Sequence, residues 1–164
     1  MAAGTQNLSS VNAYTFASIA KRQMRDERLP DDHLRGSFSF TTGARTVAAT
    51  NTETEADELF VLTFPEKCYL EHLLVTITDV DTNATPTLVF DVIVENSAGT
   101  EVVLINDATI GQAGGTDELD ANLFLTDVSE KKLGIKVVTG SATAAAGTIT
   151  FKGRVWLGNL PTIA

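Results

Sequence analysis

Short runs in which every second residue is apolar recur along the chain from Gly36 onward. The clearest lies at 148–152, where Ile149 and Phe151 alternate with two threonines and Lys152. Runs with this period lie at 37–40, 60–64, 73–78, 88–95, 133–138 and 148–157, with shorter ones expected at 101–105 and 121–126. Since successive side chains of a strand point to opposite faces, these runs predict about eight half-buried antiparallel strands.

Turn-forming residues separate several of these runs. The turn segments are NATP at 83–86, NSAG at 96–99 and GSAT at 140–143. No stretch has the length and period of a crossover helix, which disfavours a parallel α/β sheet. We therefore predict an all-β domain at 36–164, an antiparallel β-sandwich of the jelly-roll type, with an up-and-down barrel as the second architecture. Its predicted core includes Phe90, Val92, Ile149 and Phe151.

Residues 1–35 have a different pattern and form an N-terminal arm in this prediction. Between Asn12, a good helix N-cap residue, and Pro30, which ends a helix, apolar residues recur at helical spacing. They include Phe16, Ile19 and Met24. The apolar stripe is thin, so this short helix is marginal alone and needs a surface on which to pack.

Charge divides the chain into the same two parts. The arm carries five basic and four acidic residues, a net charge of +1, whereas the remainder carries seven basic and seventeen acidic residues, a net charge of −10. An acidic body does not favour a phosphate backbone, so no direct contact with nucleic acid is expected. The arm instead suits an acidic protein surface, and we predict that it contacts a neighbouring chain, with packing on its own domain as the alternative. The predicted interface consists of Phe16, Ile19 and Met24 as buried anchors and Arg22, Arg25 and Arg28 at the rim.

No pattern in the sequence indicates an enzyme or a bound cofactor. His33 and His72 lie in no recognisable nucleophile motif, and Cys68 has no second cysteine with which to pair. We expect Cys68 to be a buried, unreactive residue, as free cysteines usually are. The apolar runs are also too short to cross a membrane.

Two segments match ligand-binding loops in part. Residues 79–83, DVDTN, match the first three ligand positions of a calcium loop, but Ala84 replaces the turn glycine and Phe90 replaces the bidentate glutamate. We therefore expect a turn in which Asp and Asn bind their own backbone, with a weak calcium site as the alternative. Residues 106–120 hold three glycines and four acids. For them we expect an ordered connection between strands, with a recognition loop as the alternative.

Three features occur together: a polar arm with a short basic amphipathic segment, an acidic β body, and a distinctive C-terminal third. The C-terminal features are IGQAGGT at 110–116, KKLGIKV at 131–137, an Ala/Thr-rich turn at 141–147 and GTITF at 147–151. Over residues 60–157 the chain resembles the small capsid cement or decoration proteins of tailed bacteriophages. The resemblance implies a β-sandwich on the capsid exterior that binds junctions between major capsid protein subunits and stabilises the head. It also implies a homo-oligomer, for which we expect a trimer.

Trp156 lies on the outer phase of the last predicted strand, together with Lys152 and Arg154. We predict that it covers the sheet against the arm or a neighbouring subunit, and we include it in the interface. A carbohydrate-binding or tail-associated adhesion domain of a virion is the alternative function, in which Trp156 would be the platform for a sugar.

Overall fold

The computed structural model describes residues 36–119 and 126–158. The arm and most of the predicted strand at 121–126 lie outside these ranges. So do the predicted helix and six of the predicted interface residues, which are Phe16, Ile19, Arg22, Met24, Arg25 and Arg28. In the described ranges, no helix is long and apolar enough to cross a membrane.

The described chain forms ten strands, together with two short 3₁₀ helices at Ala49–Asn51 and Ile110–Gln112. The first five strands are β1 (Gly36–Thr41), β2 (Arg45–Val47), β3 (Glu58–Thr63), β4 (Cys68–Ile77) and β5 (Val89–Glu95). The second five are β6 (Glu101–Ala108), β7 (Gly115–Glu118), β8 (Thr126–Asp127), β9 (Lys132–Thr139) and β10 (Gly147–Leu157).

The strands pair antiparallel in two sheets. Sheet A has the order β1-β10-β4-β7, with β2 also paired to β10 and β8 also paired to β4. Sheet B has the order β3-β9-β5-β6. The chain therefore crosses repeatedly between the layers, as from β3 to β4 and from β9 to β10. This topology confirms the jelly-roll sandwich and excludes the up-and-down barrel.

The sequence did not predict β2 and β7. Strand β2 is only three residues long, and β7 has the sequence Gly-Thr-Asp-Glu, whose glycine and acids are depleted in strands. Each forms because a long neighbour, β10 or β4, offers it an edge with which to pair. The sequence of such a short segment does not show that a neighbouring strand will have a free edge for pairing.

Inward-facing side chains of both sheets form one core. Phe90 and Val92 of sheet B and Phe151 of sheet A are fully buried, and Ile149 is 1% exposed. The predicted core positions are therefore confirmed. The alternation of apolar and polar residues assigns each strand's inner face correctly because the pleat repeats every two residues.

Each sheet contains a central-strand glycine that an aromatic ring covers. In sheet A, Gly153 of β10 lies opposite Phe40 of β1, and a Cβ atom added to Gly153 would lie 2.7 Å from the Phe40 ring. In sheet B, Gly134 of β9 lies opposite Phe60 of β3, with a corresponding distance of 2.8 Å. Phe40 faces the core, where it meets Phe64 edge to face. Phe60 lies on the outer face, which explains the second apolar face of the run at 60–64.

The connections at one end of the sandwich are joined by Asp81, which is fully buried. Its Oδ2 accepts hydrogen bonds from the N–H groups of Thr87, Leu88 and Ala142, and its Oδ1 accepts one from Thr143, at distances of 2.7 to 3.1 Å. Burial alone would raise the pKa of Asp81, but the four N–H donors outweigh burial and lower it to about 2. The carboxylate thus ties the β4–β5 connection to the β9–β10 connection.

The segment at 79–83 is a turn of the expected kind. Asp79 Oδ1 accepts a hydrogen bond from the N–H of Asp81 at 3.1 Å, and Asn83 Oδ1 accepts one from the N–H of Thr85 at 2.9 Å. The oxygens of Asp81 already bind four N–H donors, so they do not suit a cation. Across 36–119 and 126–158, no group of three or more His, Cys, Asp or Glu side chains is arranged to hold a metal ion.

The glycine-rich segment packs against the body as an ordered connection. Its first glycine, Gly111, lies so close to the core that an added Cβ atom would be 2.8 Å from Leu88 Cδ2. Gln112 donates a hydrogen bond from Nε2 to the carbonyl of Leu88 at 2.8 Å. The expected connection is shorter than predicted, because residues 106–108 belong to β6 and residues 115–118 form β7, which leaves only 109–114 between strands. Asp120 lies outside the described residues.

Candidate interaction surfaces

The outer face of sheet A carries the one predicted interface residue that the structure describes. Trp156 lies in β10, opposite Ser37 of β1 on one side and Tyr69 of β4 on the other. Its neighbours along the strand, Val155 and Leu157, are buried in the core, so Trp156 points outward as predicted. Trp156 and Tyr69 are both half-buried, and they occupy paired positions on the neighbouring strands β10 and β4.

The arm joins the body beside this tryptophan. Gly36, the first residue of β1, lies opposite Leu157, the last residue of β10. At the same end, the N–H of Gly158 donates a hydrogen bond to the carbonyl of Lys67 at 2.8 Å. Both chain termini therefore leave sheet A at the end that carries Trp156.

The rest of the sheet A face is polar and of mixed charge. Arg154 lies 4.0 Å from Glu71, and His72 lies 3.9 Å from Glu118. Arg154, Glu71 and His72 line a shallow groove together with the exposed Lys152. The rest of the lining comes from Ser39, Phe40, Thr41, Leu74 and Gly153. Asp127 of β8, opposite Tyr69, adds a third carboxylate to this face.

The outer face of sheet B has a different organisation, in rows that cross all four strands. One row is apolar: Phe60, Gly134, Ile93 and Val103 lie opposite one another in β3, β9, β5 and β6. Ile93 is fully buried although it lies outside the inner core. The row is therefore a continuous apolar strip on the outside of the sandwich, which we call the sheet B strip.

Charged rows lie on both sides of the sheet B strip. On one side, Lys132 lies 4.0 Å from Glu95 and places its Nζ 5.0 Å from the centre of the Phe60 ring. On the other side, Lys136 lies 3.6 Å from Glu58 and forms an ion pair with Glu101. Glu101 belongs to the first row, so the Lys136–Glu101 pair spans the sheet B strip diagonally and helps to cover Ile93.

Hydrogen bonding to Glu101 is the main cause of a raised pKa at Lys136, and it acts against the desolvation of the ammonium group. Glu58 adds to the same effect. Lys136 is therefore firmly charged at neutral pH, and its side chain is fixed between two strands that are not adjacent in the sheet.

Sheet B has the more acidic of the two outer faces. Its four strands carry Glu58, Asp91, Glu95, Asp107 and Glu101 against Lys132 and Lys136. Asp107 is counted with this face because its N–H donates a hydrogen bond to Asp91 Oδ1 at 2.8 Å, which places the two residues side by side. The large hydrophobic residues that are exposed in the described ranges, Val102, Val103 and Val138, all lie in sheet B. The sequence analysis missed this face because it considered the outer phase only for the last strand.

Cys68 is fully buried at the start of β4. Burial, followed by the charge of Asp127, raises the pKa of its thiol to about 12. The Cys68 N–H donates a hydrogen bond to the Ser129 hydroxyl at 2.9 Å, and that hydroxyl donates one to the Cys68 carbonyl at 3.2 Å. Cys68 therefore has the environment of an unreactive core residue, as expected. His33 lies outside the described residues.

Known proteins share this architecture. No protein-family model and no curated protein matches the chain. Among solved structures, a chain of the capsid asymmetric unit of cyanophage Pam1 is similar, with a TM-score of 0.60 and 24% identity over 76% of this chain and 86% of that chain. A chain of the capsid of Ralstonia phage GP4 is similar with a TM-score of 0.58 and 23% identity, over 80% of this chain and 90% of that one. This likeness establishes a shared fold.

Proposed function

We propose that this protein is a structural component of a phage virion that binds the outside of the head at junctions between major capsid protein subunits and stabilises the shell. The observation that carries the proposal is the match to two phage capsid chains along 86% and 90% of their own lengths. Nearly the whole of each matched chain is this sandwich, so the likeness extends to size as well as topology.

A protein that stabilises a seam must hold two subunits at once. In this proposal, the end of sheet A with Trp156 and Tyr69 contacts one subunit, and the arm that leaves beside it contacts the next. The 35 residues of the arm reach at most about 115–125 Å when extended. Once one site is bound, the tether keeps the other at high effective concentration, so two modest contacts give stable binding.

The stabilising effect follows from linkage. A protein that binds the assembled shell better than separated subunits adds its binding free energy to the shell. It needs only rigid surfaces for this role, and a trimer would multiply the contacts at each position. Trp156 and the apolar arm residues would be the anchors, because a few well-packed, desolvated side chains carry most of the binding free energy of an interface.

The proposal is tested with particles that lack this protein. Wild-type chain, a variant with Phe16, Ile19 and Met24 replaced by Ala, and Trp156→Ala are added separately, and co-sedimentation and the melting temperature of the particle are measured. We expect the wild type to bind and raise the melting temperature, and each variant to bind at least tenfold more weakly. Lys152→Ala, on the same sheet but away from the arm exit, is the matched control and should bind like the wild type. Equal binding by all variants would contradict the assignment of these interface residues, and no binding by the wild type would contradict the function.

One observation favours a second function, an adhesion domain that binds carbohydrate. Trp156 lies two residues from Arg154, which lines the polar groove on the same face. A glycan array probed with the wild type and with Trp156→Ala tests this function. Binding to a sugar that is lost in the variant would favour adhesion over capsid stabilisation.

A further inference from the structure

We propose that two copies of this chain pair edge to edge through strand β1, in antiparallel orientation and with Ser39 opposite Ser39 of the second copy. This inference rests on the proposed homo-oligomer, and it names the surface that joins the copies and their number. Such a pairing is isologous and closes at two copies, so a dimer takes the place of the trimer expected from the resemblance. Four observations support it: the unprotected edge of β1, the direction of its backbone groups, the placement of Phe38, and the distribution of charge.

The first observation is that β1 lacks the features that protect the edge of a sheet. Among the described strands β1 pairs only with β10, and we call its other side the free edge. Edge strands usually avoid pairing with other chains because they carry charged residues, proline or bulges. Strand β1 has the sequence Gly-Ser-Phe-Ser-Phe-Thr, without charge or proline, and its register with β10 is unbroken. Each of the other described edge strands contains a charged residue: Arg45 in β2, Glu58 in β3, Glu101 and Asp107 in β6, Asp117 and Glu118 in β7, and Asp127 in β8.

The second observation is the direction of the backbone groups of β1. The N–H of Thr42, directly after β1, donates a hydrogen bond to the carbonyl of Phe151 in β10 at 2.9 Å. Hydrogen-bonded positions alternate along an antiparallel pair, so the even-numbered residues of β1 bond to β10 in the same way. The odd-numbered residues, Ser37, Ser39 and Thr41, therefore direct their N–H and C=O groups to the free edge.

One register pairs all of these backbone groups. With Ser39 opposite Ser39 of the second copy, Ser37 lies opposite Thr41, and each of the three positions exchanges both of its backbone hydrogen bonds. A shift of two residues would place Thr41 opposite residue 35, or Ser37 opposite Gly43, and both of these lie outside β1. The two-fold axis of this register is perpendicular to the sheet, so both copies present Trp156 on the same side of one continuous sheet. The proposed capsid contact then occurs twice on one surface.

The third observation is the placement of Phe38 on the core side of β1. Phe38 packs against the core but is only half-buried, whereas Phe40, the next residue on that face, is 8% exposed. In the register centred on Ser39, Phe38 of one copy lies opposite Phe40 of the other, at a non-hydrogen-bonded position where side chains approach most closely. Aromatic pairs across strands stabilise a sheet. The pairing therefore covers the part of Phe38 that its own body leaves exposed.

The fourth observation, charge, selects a second copy of this chain as the partner. The chain after residue 35 has a net charge of −10, so two bodies repel each other over most of their surface. Residues 36–44 contain no charged residue, so two copies can approach along β1 without bringing carboxylates together. Antiparallel self-pairing of β6, by contrast, would bring Glu101 and Asp107 of the two copies together, and like charges across strands destabilise a sheet.

Analytical sedimentation of the full-length chain tests the pairing. We expect the wild type to form a dimer at concentrations up to about 100 μM. Ser39→Lys places two like charges opposite each other at the two-fold axis and should raise the dissociation constant of the dimer at least tenfold. Thr46→Lys is the matched control, because Thr46 is also an exposed hydroxyl residue in an edge strand paired with β10, but it lies outside the proposed contact. It should sediment like the wild type, and thermal unfolding verifies that both variants fold.

Disulfide formation tests the register independently. Under mild oxidation, Ser39→Cys should link two copies at least tenfold faster than Thr46→Cys. The reason is that the Cα atoms of a hydrogen-bonded antiparallel pair are about 5.5 Å apart, which is within the range of a disulfide. The native Cys68 is fully buried and does not compete.

Three results would overturn the proposal. One is a wild type that stays monomeric or forms a trimer; another is a dimer that Ser39→Lys leaves unchanged. The third is an equal rate of disulfide formation in Ser39→Cys and Thr46→Cys. Binding of the wild type to particles that lack this protein is measured in parallel and separates the two proposals. A dimer that does not bind particles rejects the capsid role alone, whereas a monomer that binds them rejects the pairing alone.

Discussion

The two outer faces of the sandwich differ far more than its two inner faces. Inside, both sheets present the same large aliphatic and aromatic residues to one core. Outside, sheet A presents half-buried Trp156 and Tyr69 beside a groove of mixed charge, whereas sheet B presents an apolar strip between two rows of ion pairs, with Val103 exposed at the edge. The inner phase of each strand determines the fold, and the outer phase is free to differ because it meets only solvent or a partner. Two such different faces are suited to different partners.

The glycine and aromatic pairs follow the same division. Phe40 covers Gly153 on the inside of sheet A, and Phe60 covers Gly134 on the outside of sheet B. An aromatic ring over a strand glycine stabilises a sheet wherever it occurs. On the outside, the ring is itself covered in part by Lys132, whose Nζ lies 5.0 Å from the ring centre.

The largest expected effects come from the core that the two faces share. Phe90→Ala in sheet B and Phe151→Ala in sheet A should each lower the free energy of unfolding by about 3–5 kcal/mol, because both side chains are fully buried. Urea denaturation measures both. Lys152→Ala, one residue from Phe151 on the outer phase, should cost less than about 0.5 kcal/mol. Similar losses in the free energy of unfolding for Phe151→Ala and Lys152→Ala would contradict the assignment of these residues to the inner and outer faces of sheet A.

The second largest loss of stability is expected at Asp81, because its carboxylate joins two connections that run between the sheets. Asp81→Asn removes the charge that four backbone N–H groups bind, and we expect a loss of about 2–4 kcal/mol in the free energy of unfolding. Asn83→Ala in the same turn is the control and should cost about 1 kcal/mol or less, since the bonds of Asn83 are exposed. Thermal unfolding at pH 7 compares them, and an equal loss in both variants would contradict the joining role.

The contribution of Asp81 to the free energy of unfolding depends on pH in a defined way. Its pKa in the folded protein is about 2, below the ordinary value of 3.8. As the pH falls from 4 to 2, the unfolded chain takes up a proton at this group and the folded protein does not, so this part of the stability is lost. Asp81→Asn should therefore show a smaller loss of stability than the wild type over that range. Parallel acid titrations of the two proteins would reject the assignment.

Gly134→Ala should have an intermediate effect that is confined to sheet B. The new Cβ atom would lie 2.2 Å from the carbonyl oxygen of Leu59 and would displace the Phe60 ring. Overpacking of this kind costs about 1–3 kcal/mol. Urea denaturation measures this loss. An unchanged free energy of unfolding would show that the Phe60 ring and the Leu59 carbonyl can move away from the new methyl group without cost.

The sequence correctly predicted which residues face the core of the sandwich, but it did not predict how the outward-facing residues are arranged. Phe90 and Phe151 were placed correctly because burial repeats every two residues along a strand. The sheet B strip was not found because Phe60, Ile93 and Val103 are far apart in the chain and become neighbours only through strand register. Asp81 was read as part of a turn, but two of its N–H donors come from residues about 60 positions away. Register and long-range backbone bonds depend on the whole fold, and no local pattern encodes them.

The smallest expected effects come from ion pairs on the two outer faces. Comparing their stability costs tests whether the charges of sheet B are better ordered than those of sheet A. Lys136→Met on sheet B should lower the free energy of unfolding by about 1 kcal/mol, because Lys136 binds two carboxylates and is 30% exposed. Arg154→Met on sheet A should cost only a few tenths of a kcal/mol, since Arg154 is 61% exposed and lies 4.0 Å from Glu71. The raised pKa of Lys136 means that its contribution persists at neutral pH and is lost as the pH rises through that pKa, above the ordinary value of 10.5. The stability difference between wild type and Lys136→Met should therefore shrink in strong alkali. Equal costs for both variants at pH 7 would show that the ordered charge rows of sheet B add nothing beyond an ordinary surface ion pair.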